Sequence, residues 1–157
     1  MGGGGGGGAR NIGDLPKLVE EAKKALGQER RNVFISFAYE DIDEVNLLRG
    51  HSKNELSEIA FNDWSVPEAF DSVKADYIKS QIADRINRSS ITIVYLSSDT
   101  NNSRWVNWEV EKSLELGKSV IAVYSGDKPP AALPEFVERH KIKVVPWSEL
   151  ARELKPS

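Results

Sequence analysis

The chain has 157 residues, a length typical of one folded domain or of one domain with an appendage. Hydrophobic residues make up 39% and charged residues 29%, which argues against a disordered or membrane-spanning chain. The formal net charge of -3 argues against nucleic acid as a partner, and the absence of cysteine excludes disulfides and thiolate sites. Because neither a signal peptide nor a long apolar run is present, we expect a cytoplasmic protein with no membrane partner.

Residues 1–31 predict a glycine-rich leader followed by an appended helix. The run from Gly2 to Gly8 has no side chains to bury, so we expect disorder there. The helix pattern begins with Asp14 as N-cap, continues with apolar residues three and four apart, and ends at Gly27. This amphipathic helix either packs on the domain that follows or binds a partner. The domain itself is predicted over residues 32–157.

From residue 32 onward, short apolar runs alternate with helical stretches. The runs are nearly continuous and rich in β-branched residues, as in strands that are buried on both faces. The predicted strands cover residues 33–37, 59–64, 90–96, 119–124 and 142–146. The predicted helices cover residues 43–49, 71–87, 103–117 and a last stretch from 148, with a proline-containing loop near 129–134. This order predicts an α/β fold, a flavodoxin-like three-layer sandwich around a five-stranded parallel sheet.

One carboxylate stands out in the helix that begins near Ser103. At 100° per residue, Glu109 falls between Trp105 and Ser113, inside the arc that also holds Val106 and Val110. A buried carboxylate requires a partner, a raised pKa or a ligand. Two explanations remain open from the pattern alone: an ordinary ion pair with Lys112 or Arg104, or a functional carboxylate at the ligand-binding edge of the sheet.

Two motifs resemble a known family. The segment VFISFAYED at 33–41 resembles the first box of TIR domains, and WVNWE at 105–109 resembles the WVxxE segment of TIR-domain NAD+ hydrolases. The segments at 45–49, 103–106 and 109–113 are similar to the TIR-like domain of the Thoeris anti-phage system. The resemblance spans residues 32–125 and implies a TIR-like variant of the predicted sandwich.

The resemblance also implies an activity, an NAD+ glycohydrolase or ADP-ribosyl cyclase. Glu109 would be the catalytic residue, and NAD+ would be the substrate, with no separate cofactor and no metal. Because nicotinamide leaves as a neutral group from a cation, one carboxylate can suffice. The implied partners are NAD+, a second copy of the chain on activation, and an effector that senses the nucleotide product, which we expect to be cyclic.

Five further residues are expected around the dinucleotide. The family places part of the ligand at the end of the first strand, which holds Ser36 and Phe37, with Tyr39 just beyond; a place in the core is the alternative for Phe37. Asp63 ends the second strand near the same pocket, where an ordinary capping role is the alternative. Trp105 would exclude water or stack on a planar ring.

Two other functions compete with the enzyme. TIR folds also act as interaction scaffolds without activity, so an inactive signalling module is the main alternative. A receiver-like phosphoacceptor is suggested by Glu40, Asp41 and Asp43 after the first strand. Receivers need an aspartate at the end of the third strand, where this chain has Leu96 and serines, so this last hypothesis is disfavoured.

Overall fold

The structure is a computed structural model, and it describes residues 17–19, 31–57, 59–63 and 69–154. The chain divides into two compact units, residues 1–30 and 31–157. In the first unit, residues 17–19 are helical, in agreement with the predicted helix at that point. The rest of the predicted leader and helix lies outside the described residues, so their structure stays a prediction.

The second unit is built on a five-stranded sheet in which every described strand pairing is parallel. The strand order is β2-β1-β3-β4-β5, which places β1 and β3 next to each other near the centre. This topology confirms the predicted α/β fold. The strands are β1 (Arg31–Ser36), β2 (Ile59–Asp63), β3 (Ile91–Tyr95), β4 (Ser119–Tyr124) and β5 (Lys143–Pro146).

Helices connect the strands, as parallel pairing requires. Those in the described part of the second unit are α1 (Ile42–His51), α2 (Ala75–Asn87), α3 (Arg104–Glu115), α4 (Glu135–Arg139) and α5 (Leu150–Glu153). Short 3-10 turns cover Tyr39–Asp41, Thr100–Asn102 and Trp147–Glu149.

One of these helices was not predicted. The sequence indicated only a loop near Pro134, whereas α4 begins directly after this residue. Its five residues form little more than one turn, too short for a helical periodicity to be recognised, and Phe136 and Val137 are nevertheless buried. The structure also extends α1 to His51, so that Gly50 lies inside a helix and not in a loop.

Helices cover both faces of the sheet and complete the three layers. Side chains alternate along a strand, so β1 contributes Val33 and Ile35 to one face and Phe34 to the other. The first face packs on Val45 of α1 and Leu150 of α5. The opposite face packs on α2 through isoleucines. It packs on α3 through Val106 and Val110, which share a cluster with Val94 of β3 and with Leu96 directly after this strand.

The ends of α3 are fixed by local interactions. Ser103 is the N-cap, and its hydroxyl accepts a hydrogen bond from the Val106 backbone N–H at 3.2 Å. At the other end Gly117 adopts a φ of 77°, a left-handed conformation that favours glycine. The helix that carries Glu109 therefore begins and ends close to the positions expected from the sequence.

No helix in the described ranges is long and apolar enough to cross a membrane.

Candidate functional site

The site is organised around a contact between β1 and α3. Ser36 is the last residue of β1, and its Oγ donates a hydrogen bond to Oε1 of Glu109 at 2.5 Å. Both side chains are buried, with Ser36 1% exposed and Glu109 3% exposed. The two residues that were predicted from separate motifs thus meet beneath one edge of the sheet.

Burial strongly affects the charge of Glu109. Desolvation of the carboxylate raises its pKa to about 8, although the hydrogen bond from Ser36 acts in the opposite direction by stabilising the ionised form. A carboxyl group with a pKa near neutrality can change its charge when a ligand brings a positive charge beside it. Perturbed groups of this kind concentrate at functional sites.

The alternative explanation, an ion pair on the helix surface, is not observed. Lys112 pairs with Glu115 at 3.0 Å, one turn further along α3. Arg104 pairs with Asp71 at 2.6 Å, outside the helix. Neither cation is used to neutralise Glu109, so its burial is not accounted for by the pairs that the sequence suggested.

A second buried polar pair supports the helix turn that carries Glu109. Ser113 Oγ donates a hydrogen bond to the backbone carbonyl of Glu109 at 2.7 Å. The same hydroxyl lies 2.8 Å from Thr92 Oγ1 of β3. Ser113 and Thr92 are both fully buried, so α3 is tied by hydroxyl groups to β1 and to β3.

Trp105 lies one turn before Glu109 and belongs to an aromatic cluster, which we define as Phe70, Trp105 and Trp108. The Phe70 and Trp105 ring centroids are 4.9 Å apart in an edge-to-face arrangement, and those of Trp105 and Trp108 are 6.3 Å apart. Trp105 and Trp108 also pack on the apolar contact between α2 and the sheet. The tryptophan predicted to wall the pocket is therefore anchored by neighbouring rings.

Phe37 is not brought together with Glu109. It is 8% exposed and packs in the cluster of Val33, Ile35 and Val45, on the α1 face of the sheet. Glu109 lies on the opposite, α3 face. The structure thus agrees with the alternative of a core residue and gives no support to a ligand contact; the alternation of side chains along residues 33–37 already contained this signal.

The other two predicted ligand residues are Tyr39 and Asp63. Tyr39 begins the turn after β1 and is 49% exposed. Asp63 is the last residue of β2, where its backbone pairs in register with Ile35. The Asp63 side chain lies outside what the structure describes, so its predicted role stays a prediction.

Among the acidic residues after β1, Asp41 is hydrogen-bonded to Ser97. Asp41 is only 5% exposed and accepts a hydrogen bond from Ser97 Oγ at 2.5 Å. Burial raises its pKa, the hydrogen bond from Ser97 lowers it, and the nearby Asp99 and Glu44 add repulsion. This contact connects the segment after β1 to the segment after β3, two of the loops that border the carboxyl edge.

Some residues of the cluster were not singled out by the sequence. Phe70 belongs to this cluster, and the Lys79 ammonium lies 4.1 Å from the centroid of its ring, yet neither residue lies in a motif. The approach of Lys79 to Trp108 depends on the packing of α2 against α3, two helices that are far apart in the sequence. The neighbouring positions of Trp105 and Trp108 on one side of α3 were the available signal.

The fold and the site define a class, a TIR-like α/β domain with a buried glutamate beneath the carboxyl edge of its sheet. The TIR domain of the Toll-related receptor TRR-2 from Hydra magnipapillata has the same fold, with a TM-score of 0.51 and 19% identity over 77% of this chain and 87% of that domain. Residues 34–129 match the family described as Thoeris protein ThsB, TIR-like domain. The chain belongs to this family, as the resemblance implied.

Two curated relatives are similar in sequence. A protein of Bacillus cereus (strain MSX-D12), provisionally named cyclic ADP-D-ribose synthase ThsB1, is 34% identical over 98 residues, which cover 60% of this chain and 51% of the relative. A protein of Cytobacillus dafuensis, provisionally named cyclic ADP-D-ribose synthase TIR2, is 29% identical over 118 residues, which cover 73% of this chain and 30% of the relative. The chain thus spans about half the length of the first relative and less than a third of the second.

Proposed function

We propose that this chain cleaves the nicotinamide–ribose bond of NAD+ and converts the remainder into a cyclic ADP-ribose signal in Thoeris anti-phage defence. The observation that carries the proposal is the buried carboxyl group of Glu109, hydrogen-bonded to Ser36 at 2.5 Å. Family membership and the names of the two relatives support the same chemistry.

The proposed role of Glu109 follows from the charge that develops in the reaction. Breaking the bond leaves positive charge on the ribose, and a carboxylate beside it stabilises that charge most in surroundings that exclude water. Since burial raises the Glu109 pKa to about 8, the approach of the cationic substrate would itself favour ionisation. Ser36 then keeps the ionised carboxylate in place.

Nicotinamide leaves as a neutral molecule, so the reaction needs no second carboxylate as general acid. After departure, a water molecule would give ADP-ribose, whereas attack by an atom of the adenine would close a ring. Because the two relatives are named for cyclic ADP-ribose synthesis, we favour the cyclic product. Self-association on activation and an effector that senses the product remain part of this proposal.

The test is an incubation of the purified chain and of Glu109→Gln with NAD+ at several protein concentrations, with products resolved by mass. We expect nicotinamide from the wild type alone, together with a second product lighter than ADP-ribose by one water molecule. If ADP-ribose is the sole second product, the chain is a hydrolase and not a cyclase. No nicotinamide at any concentration would contradict the proposal.

A further inference from the structure

The proposed substrate carries two phosphate groups, and the site must accommodate their negative charge. No GxGxxG or P-loop motif occurs in the sequence. The Glu109 carboxylate cannot hold a phosphate, since the two groups repel each other once Glu109 is ionised. A cationic side chain at the same edge of the sheet as Glu109 would bind these phosphates through charge-assisted hydrogen bonds.

Among the residues that the structure describes, Lys79, Arg104 and Lys112 lie close to the Phe70 or Trp108 ring of the aromatic cluster. The Lys79 ammonium lies 4.1 Å from the centroid of the Phe70 ring and 5.9 Å from that of Trp108. The Arg104 guanidinium lies 4.6 Å from the Phe70 ring, and the Lys112 ammonium lies 5.7 Å from the Trp108 ring. These distances are within the range of cation–π attraction, which holds a cation without neutralising its charge.

Carboxylates distinguish the three cations. Arg104 is paired with Asp71 at 2.6 Å, and Lys112 with Glu115 at 3.0 Å. Among the residues that the structure describes, no carboxylate pairs with Lys79. Lys79 is thus the cation of this group whose full charge is available to an anion.

The position of Lys79 suits a substrate that reacts at Glu109. Lys79 lies in the second turn of α2 and Trp108 in the second turn of α3, and both helices begin at the carboxyl edge of the sheet. Trp108 directly precedes Glu109 in α3, so the ring that Lys79 contacts lies beside Glu109 along the helix, about 100° away around its axis. The Lys79 side chain is only partly buried, which leaves it accessible to a ligand at this edge.

We propose that Lys79, held by the rings of Phe70 and Trp108, is the binding site for the phosphate groups of the dinucleotide. The proposal rests on the proposed function, because it assumes that the substrate carries a diphosphate. The alternative is a purely structural role, in which Lys79 only connects α2 to the aromatic cluster. In that case Lys79→Arg, which keeps the charge but alters the side chain, should weaken ligand binding as much as Lys79→Met does.

The probe is ADP-ribose, which contains the diphosphate but no bond to nicotinamide. Its Kd is measured by calorimetry for the wild type, Lys79→Met, Lys79→Arg and Lys112→Met, at low and high salt. Lys112→Met is the matched control, because it removes a lysine from the same Trp108 ring at nearly the same distance. Thermal unfolding of each variant shows that it is folded, and Lys79→Gln replaces Lys79→Met if the latter is not.

We expect Lys79→Met to weaken ADP-ribose binding about tenfold and to reduce its dependence on salt, since a phosphate contact is lost. Lys79→Arg keeps the charge and should stay within about threefold of the wild type, and Lys112→Met within about twofold. Wild-type affinity in Lys79→Met, equal losses in Lys79→Met and Lys79→Arg, or no binding of ADP-ribose to the wild type would each overturn the proposal.

Failure of the phosphate site can be told apart from failure of the enzymatic proposal. If ADP-ribose binding depends on Lys79 but no nicotinamide is released from NAD+, the phosphate site is supported and the enzymatic proposal is contradicted. If nicotinamide release depends on Glu109 but Lys79→Met binds ADP-ribose as tightly as the wild type, the enzymatic proposal is supported and the phosphate site is contradicted.

Discussion

Ser36 Oγ lies 2.5 Å from Glu109 Oε1, and this hydrogen bond joins the end of β1 to the middle of α3. The contact is buried, and the carboxyl group that receives it has its pKa raised to about 8 by burial. The hydrogen bond from Ser36 acts against burial and lowers the pKa of Glu109. We therefore expect both the proposed activity and the stability of the protein to depend on pH.

Ser36→Ala should shift the pH dependence of nicotinamide release. The hydrogen bond from Ser36 lowers the pKa of Glu109, so its removal raises that pKa further. A hydrogen bond to a charged group contributes on the order of 1.5 kcal/mol, which corresponds to about one pH unit. The acidic limb of kcat/KM against pH should therefore move upward by about one unit.

The control for this measurement is Ser80→Ala, which removes a hydroxyl on the exposed side of α2 that bonds only locally, to the Tyr77 carbonyl. Its pH profile should coincide with that of the wild type. A uniform loss of kcat/KM at every pH in Ser36→Ala would show that Ser36 affects the rate without affecting the ionisation of Glu109.

Glu109→Gln should change how the free energy of unfolding depends on pH. The pKa of Glu109 rises from 4.5 to about 8 on folding. The stabilisation that comes from burying the neutral carboxyl group is therefore complete below pH 4.5 and is lost as the pH rises through 8. Each pKa unit corresponds to about 1.4 kcal/mol, so the loss amounts to a few kcal/mol.

Glutamine remains neutral at every pH. The free energy of unfolding of the variant should therefore equal that of the wild type at low pH and exceed it by a growing amount toward pH 8. Urea unfolding at several pH values measures this difference. Glu115→Gln is the matched control, since Glu115 is exposed on the same helix, and its difference from the wild type should be nearly constant. A constant difference for Glu109→Gln as well would mean that its pKa is ordinary.

The buried hydroxyls behind Glu109 should show strong coupling. Ser113→Ala leaves the Thr92 hydroxyl without its partner in a fully buried position, which costs about 1 to 3 kcal/mol. Thr92→Val with Ser113→Ala removes both hydroxyls and should cost less than the two single substitutions together. A double-mutant cycle by urea unfolding measures the coupling; strict additivity would show that the two hydroxyls act independently.

Two glycines should respond in opposite directions to alanine. Gly50 lies inside α1 with free space around its Cα, so Gly50→Ala should raise the free energy of unfolding by about 0.5 to 1 kcal/mol. Gly117 has a φ of 77° at the end of α3, so Gly117→Ala should lower it by about 1 kcal/mol or more. Thermal unfolding checks both, and stabilisation by Gly117→Ala would contradict the left-handed cap.

The sequence predicted the sheet because buried parallel strands leave a plain signal, runs of β-branched residues separated by helical stretches. The helical projection also placed Glu109 among apolar neighbours, although it left an ion pair on the helix surface as an alternative. What it could not provide was tertiary detail. The contact of Lys79 with the Phe70 ring, for example, depends on how α2 packs beside the residues that precede it.

The short helix α4 could not be predicted from the sequence for a different reason. Its signal is confined to Glu135–Arg139, and the prolines before it indicate a loop. The helix is stabilised by the burial of Phe136 against β3 and α3, a contact between distant parts of the chain. Local pattern alone does not carry that information.

Glu109 is the proposed catalytic group of an NAD+-cleaving enzyme. The most direct measurement is kcat/KM for nicotinamide release from NAD+ by the wild type, Glu109→Gln and Glu115→Gln, each verified as folded and assayed over a range of protein concentrations. We expect a loss of at least about a hundredfold in Glu109→Gln alone. Turnover by Glu109→Gln at the wild-type rate would contradict the claim.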